Sequence, residues 1–318
     1  MDVWIFTHGD TDGLCSGALS LAANPGAQVF FTHPYGLLED LQRAKDTDKV
    51  IICDIALSEI RLNQILQRFK AIVHEGALIY IDHHPLPEGI SRNEVPGMVT
   101  YNLNASASEQ VYSYFQSRLD PTYARIAIYG AIGDYLDNTP LIQTLLRKWD
   151  KRTLYLETGI LVQGVEALGR SYDSKRRIVQ DLSNNKPPSF NEDLVRLALQ
   201  YTRKEEEVVK ELKGRVNVEG KIAYILNFPF SLGKTAMYIR GLTDALVGIA
   251  GEERKGMIDM SLRTYNEKID LNNILRHIAP RLGGDGGGHP MASGARIPKE
   301  NFKSLIKELN KHLNVIHP

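Results

Sequence analysis

The first hundred residues are punctuated by five short, nearly unbroken apolar runs: "VWIF" (3–6), "QVFFT" (28–32), "VIIC" (50–53), "LIYI" (78–81) and "MVTY" (98–101). Strands that face solvent on one side alternate apolar with polar residues; runs without that alternation suit parallel strands buried on both faces. Helix-like stretches separate several of them, among them "SGALSLAA" (16–23), "GLLEDLQRA" (36–44) and "SEIRLNQILQRF" (58–69). Strands alternating with helices fold as an open, doubly wound α/β sheet.

Beyond residue 102 the pattern turns helical. "SASEQVYSYFQSRL" (106–119) opens with small polar residues and a Glu, as a capped helix start does. "YARIAIYGAIGDYL" (123–136) is apolar enough to be a buried helix. Charge then rises through residues 140–215, with the breaker cluster "SNNKPPSF" at 183–190. A second alternation follows: "KIAYILNF" (221–228) and "GMIDMSLRT" (256–264) read as strands, and "GKTAMYIRGLTDAL" (233–246), "LNNILRHIAPRLG" (271–283) and "KENFKSLIKELNKHL" (299–313) as helices. The expected organisation is an α/β catalytic domain over 1–150, a helical connector over 151–216 and a smaller α/β domain over 217–318.

The 318 residues suffice for two cores. Basic and acidic residues balance at 38 each, which argues against a wrapper of long duplexes but leaves room for a short basic groove. Two cysteines, Cys15 and Cys53, are too few for a disulfide scaffold and read as packing thiols of a reducing compartment. No cationic-then-apolar leader precedes "VWIF", and no apolar run approaches membrane-spanning length. A soluble cytoplasmic protein without membrane partners is expected.

Open parallel sheets gather ligands at the carboxyl ends of their strands. After "VWIF" come His8, Asp10 and Asp12; after "VIIC", Asp54; after "LIYI", Asp82, His83 and His84. Asp134, at the end of the buried helix, is placed to join them, with Asp137 as a competitor. A single Asp after a strand is most often a turn or cap residue. Acids and imidazoles converging from three strand ends repel one another unless cations lie among them. Carboxylates with some imidazole suit Mn²⁺ or Mg²⁺, and the carboxylate count favours two ions with Asp54 between them. Such a pair activates water and stabilises charge on a phosphoryl oxygen, so hydrolysis of a phosphoester or phosphoanhydride is implied.

The stretch "LGGDGGGHPMASGA" holds five glycines between 283 and 288, then His289. Glycines let backbone amides approach an anion closely. The stretch follows a helix and lacks the order of a P-loop. Read alone it is a flexible turn or a binding loop. With Arg263, at the end of a predicted strand and suited to phosphate, it forms a phosphate-side clamp.

As a set, His8-x-Asp10-x-Asp12, Asp54, Asp82-His83-His84 and Asp134 resemble the four motifs of the DHH phosphoesterases, and "GGGHPMASGA" resembles the signature of their DHHA1 domain. The resemblance covers most of the chain and is nearest in style to compact archaeal RecJ-like proteins, with a helicase-associated nuclease subgroup among them. It implies an active site in the interdomain cleft. It implies that His8, Asp10 and Asp54 hold one manganese and Asp12, Asp54, His83 and Asp134 a second, with Mg²⁺ as substitute. Asp82 would be a supporting or ligating carboxylate, and His84 would touch the scissile phosphate. Arg263, Gly286, Gly287, Gly288 and His289 would hold the substrate phosphate or terminal nucleotide. The activity expected is a manganese-dependent exonuclease on single-stranded DNA or RNA, acting 3′ to 5′, in DNA repair beside a helicase partner; the chain would be a monomer or homodimer. The alternative is an oligoribonuclease, a pAp phosphatase or a cyclic-dinucleotide phosphodiesterase. A scaffold with a dead core is a further class, but it would have lost ligands that are all present here.

Overall fold

The computed structural model describes residues 2–316, which form two compact units dividing at Thr202 and Arg203. The first unit runs β1 (Val3–Thr7), α1 (Thr11–Ala23), β2 (Gln28–Phe31), α2 (Leu37–Asp40), β3 (Lys49–Cys53), α3 (Leu62–Glu75), β4 (Ala77–Asp82) and β5 (Met98–Tyr101). Five helices follow: α4 (Ala107–Phe115), α5 (Ala124–Gly133), α6 (Pro140–Leu146), α7 (Lys151–Leu168) and α8 (Tyr172–Ser183). Helix α9 (Glu192–Leu212) spans the division.

The five strands pair in parallel in the order β2-β1-β3-β4-β5. Strand pleating sends alternate residues to opposite faces. Ile5, Ile51, Cys53, Ile79 and Ile81 meet the side chains of α1, α4 and α5 on one face. Phe6, Val50, Ile52, Leu78 and Tyr80 meet Leu37, Leu41, Ile65, Phe69 and Ile72 on the other. Both faces are covered, which is why the runs lack polar alternation. Leu154, Leu161 and Val165 of α7 and Ile178, Val179 and Leu182 of α8 join the first core. Much of the span expected as a connector from residue 151 is therefore part of this unit, its apolar side turned inward and its charges outward. Cys15 and Cys53 are free and buried, and burial pushes the Cys53 thiol up to about 12, so it packs rather than reacts.

The second unit contains β6 (Asn217–Glu219), β7 (Ile222–Leu226), α10 (Leu232–Thr243), β8 (Val247–Arg254), β9 (Met257–Arg263), α11 (Leu271–Ile278), β10 (Asp285–Gly288), β11 (Ala292–Pro298) and α12 (Phe302–Ile316). Its six-stranded sheet has the order β10-β11-β9-β8-β7-β6. Only β7 and β8 pair in parallel; the other pairs are antiparallel. One face packs on Leu271, Leu275 and Ile278 of α11 and Leu305, Ile306 and Leu309 of α12. The other packs on Ala236 and Ile239 of α10 and on Val208 and Leu212 of α9. Among the described residues, no helix is long and apolar enough to cross a membrane.

Candidate functional site

Strand order 2-1-3-4-5 reverses the direction of chain winding between β1 and β3, and a crevice opens at the carboxyl ends of strands at such a switch point. Asp10 leaves the end of β1 and caps α1, its side chain accepting the Gly13 amide at 3.0 Å. His8 Nδ1 lies 2.8 Å from Asp10 Oδ2. The Thr7 hydroxyl donates to the Gly13 carbonyl at 2.6 Å, closing the loop on itself. A Cβ at Gly13 would overlap the His8 carbonyl, so only glycine permits this turn. Asp12 points inward, nearly without exposure, and accepts the amides of Ala107 at 2.7 Å and Ser108 at 3.0 Å, in the first turn of α4. Those amides carry the positive end of the helix dipole.

Asp54 follows β3 with φ of +59°, a left-handed conformation that Asp tolerates better than most residues. Its amide donates to the Ile81 carbonyl at 3.0 Å, while its carboxylate is buried. His83 Nε2 stands 3.2 Å from Asp54 Oδ1, 3.5 Å from Asp134 Oδ2 and 3.8 Å from Asp12 Oδ2. His84 Nδ1 is 2.8 Å from Asp82 Oδ1. The Tyr80 hydroxyl donates to Asp82 Oδ2 at 2.9 Å. Within the first unit, three sets of ligand atoms each lie within 4.8 Å of one another: His8, Asp10 and Asp54; Asp12, Asp54 and His83; and Asp54, Asp82 and His84. Asp54 is common to all three. The Asp137 carbonyl, by contrast, accepts the Gln143 amide, a helix-start contact.

In the second unit, Gly286, Gly287 and Gly288 lie in strand β10 rather than a loop, paired opposite Ala295, Gly294 and Ser293 of β11. Glycine is a poor strand former, yet here helix α11 presses on the strand: a Cβ at Gly286 would stand 3.2 Å from the Leu275 Cβ. The turn is confined to the tip, where His289 and Ala292 exchange backbone hydrogen bonds at 3.0 and 3.2 Å. Arg263, at the end of β9, pairs with Ala292 of β11, so the arginine and the tip share one end of this sheet. Its guanidinium also lies against Gly233 in the first turn of α10.

Residues 231–314 match the DHHA1 domain family. Over nearly its whole length the chain has the fold of known DHH proteins. A DHH domain named as a member of the s1p family of ribosomal proteins superimposes with a TM-score of 0.70, covering 98% of this chain and 86% of that one at 16% identity. RecJ from Thermus thermophilus in complex with Mn²⁺ gives 0.68 over 98% of this chain and 52% of RecJ, at 17% identity. The chain thus carries a DHHA1 domain and has the fold of DHH proteins. The pGpG-specific phosphodiesterase PggH from Vibrio cholerae gives a TM-score of 0.60 over 99% of both chains at 15% identity. An uncharacterized protein of Methanocaldococcus jannaschii is 27% identical over 97 residues, 30% of this chain and 30% of its own length.

The electrostatics of the first unit follow from crowding. Burial, and then the neighbouring Asp10, Asp12, Asp134 and Asp82, push the Asp54 carboxyl well above the usual range. Burial also raises Asp12, against the pull of His83. Burial works against ionisation of Asp10, but the His8 ring and the Gly13 amide outweigh it and hold the carboxyl low. Burial likewise opposes Asp82, and His84 and the Tyr80 hydroxyl prevail. Asp54 Oδ2 is buried, and among the described residues none donates a hydrogen bond to it. An undonated, buried carboxylate oxygen amid four other acids fits a divalent cation of the Mn²⁺ or Mg²⁺ class. The first unit thus brings together His8, Asp10, Asp12, Asp54, Asp82, His83, His84 and Asp134, drawn from the ends of β1, β3, β4 and α5. Sequence reading missed Tyr80, the α4 amides and Lys175 of α8, whose Nζ donates to the Gly9 carbonyl. Tyr80 alone had a signal: two residues before Asp82 in one strand, it faces the same side.

Proposed function

We propose that this chain is a two-metal phosphodiesterase that removes nucleotides from single-stranded DNA or RNA from the 3′ end. The observation that carries the reading is Asp54, shared by three ligand groupings, with one buried oxygen left for a cation. In this reading His8, Asp10 and Asp54 hold one ion and Asp12, Asp54, His83 and Asp134 the other, Mn²⁺ first and Mg²⁺ as substitute. Ions bound there supply Lewis-acid stabilisation of a phosphoryl oxygen. His84 contacts the scissile phosphate. Burial lowers the pKa of this ring, but Asp82 beside it outweighs burial and holds it above its ordinary value, which favours the charged form where an anion arrives. Tyr80 fixes Asp82, and Asp82 fixes the orientation of His84. In the DHHA1 domain, Arg263, Gly286, Gly287, Gly288 and His289 take the phosphate or terminal nucleotide.

A second reading, hydrolysis of short oligonucleotides or dinucleotides, is favoured by one observation. PggH and this chain cover each other almost completely, whereas RecJ is nearly twice as long as the matched part. One panel separates the two. The protein is incubated with Mn²⁺ and 5′- or 3′-labelled single strands, dinucleotides, cyclic dinucleotides and pyrophosphate. Early release of label from 3′-labelled strands is expected. Turnover of dinucleotides alone selects the second reading, and turnover of pyrophosphate alone overturns both.

A further inference from the structure

Lys175 carries a cation in a place where a cation is costly: the residue is only 6% exposed. It projects from α8, which sequence reading assigned to a connector, and its Nζ donates to the carbonyl of Gly9. Gly9 is the residue between His8 and Asp10. Tyr172, one turn earlier on α8, covers the same spot: a Cβ at Gly9 would stand 3.3 Å from its ring and 3.6 Å from Lys175 Nζ. The Tyr172 ring is itself stacked on Phe31 of β2, with centroids 5.7 Å apart. The Gly9 peptide is therefore clamped from outside by α8 while the Gly13 contacts hold the loop from inside. The titratable groups facing Lys175 include Asp10, Glu166 and the His8 ring.

We propose that Lys175 is a positioning residue that orients the His8–Asp10 limb of the metal centre. Fixing the Gly9 carbonyl fixes the Gly9–Asp10 peptide plane and so the side on which Asp10 projects; His8, 2.8 Å from Asp10 Oδ2, is held in turn by that carboxylate. Because its hydrogen bond goes to backbone, the ammonium adds positive charge beside the acids without occupying a carboxylate oxygen that a metal needs. A buried lysine serves stability poorly, since apolar side chains of similar size often replace buried charges at no loss. That makes the two roles separable.

The proposal rests on the metal reading above, and the test uses the full chain with Mn²⁺ alone, followed by the paramagnetic resonance of the free ion. Wild-type protein is expected to take up two ions. Lys175→Met is expected to keep its circular dichroism and melting temperature. It should weaken one of the two uptake steps by about tenfold or more, the range found for lost supports of metal ligands, and leave the other unchanged. Lys175→Arg should recover most of that loss. Tyr172→Leu, which loosens the same loop without removing a charge, should weaken the same step by a smaller factor and decides the matter if Lys175→Met does not fold. Uptake in these variants that matches wild type overturns the proposal alone. Equal weakening of both steps also overturns it, since that marks a general loss of structure. A wild-type chain that takes up no Mn²⁺ overturns the metal reading and this proposal together.

Discussion

Each sheet gathers its candidate residues at one end, by opposite means. The parallel sheet concentrates charge: three of its five strands, β1, β3 and β4, carry carboxylates and imidazoles on their ends, and the apolar body supplies the rigidity that holds like charges together. The mixed sheet removes side chains: glycines in β10, under α11, bring backbone close to whatever lies at the Arg263 end. The first end stores repulsion that bound cations would relieve. The second stores none and is complete as it stands. Perturbing the first should therefore change chemistry and pH response, and perturbing the second should change affinity alone.

The largest contrast is expected at Asp54. Asn keeps the shape and tolerates a φ of +59°. Asp54→Asn should lower Mn²⁺-stimulated turnover by at least about 1,000-fold, a barrier rise of about 4 kcal/mol, with an intact fold by circular dichroism. A smaller effect, on stability, is expected where α5 crosses Asp12. A Cβ at Gly130 would stand 2.6 Å from Asp12 Oδ1 and overlap the Ser108 hydroxyl. Gly130→Ala should cost about 1–3 kcal/mol, read as a lower midpoint in urea, and should weaken Mn²⁺ uptake with it.

Smaller again is a dependence on pH in chelator-treated protein. A carboxyl whose pKa is raised by folding bears no penalty below its unfolded value of about 3.9, where both states are protonated. The penalty grows as pH rises from there towards the folded value and stays constant above it. Burial and four acids raise Asp54. Wild type and Asp54→Asn should thus melt together near pH 4, and wild type should fall progressively behind as pH rises. A gap that is constant with pH would show that Asp54 bears no such repulsion. The smallest effect belongs to the other sheet. A Cβ at Gly287 would stand 3.1 Å from Asn272 Oδ1. Gly287→Ala should cost less than about 1 kcal/mol and leave Mn²⁺ uptake unchanged, while KM for an oligonucleotide rises severalfold.

The same contrast explains what the residues disclosed. β1 to β5 were legible because burial on both faces leaves unbroken apolar runs, and the acids at their ends stand out against them. In the second unit β7 was legible for that reason, and β9 ("MIDMSLR") because buried Ile258, Met260 and Leu262 alternate with less buried residues. β8 ("VGIAGEER"), β10 ("DGGG") and β11 ("ASGARIP") were not, because glycine and alanine carry no strand signal and pairing across the sheet imposes their form. The helices over 151–183 looked like a connector because their exposed charges hide an apolar stripe, visible only once Leu154, Leu161 and Ile178 are seen in the core. Lys175 had no signal at all. A lysine in a charged helix is ordinary until the fold turns it onto Gly9.

The hydrogen bonds from Ala107 and Ser108 to Asp12 join residues 95 and 96 positions apart. A ribosome adds about 5–20 residues per second, so Asp12 leaves the exit tunnel some 5–20 seconds before the amides that will receive it. During that interval its carboxylate is open to water and to any cation in the cell. Closing so long a loop carries an entropic cost that only the gathered sheet and helices offset. The centre is therefore a late product of synthesis. A chain stalled before α4 has most of its acids and none of the order that makes them a site.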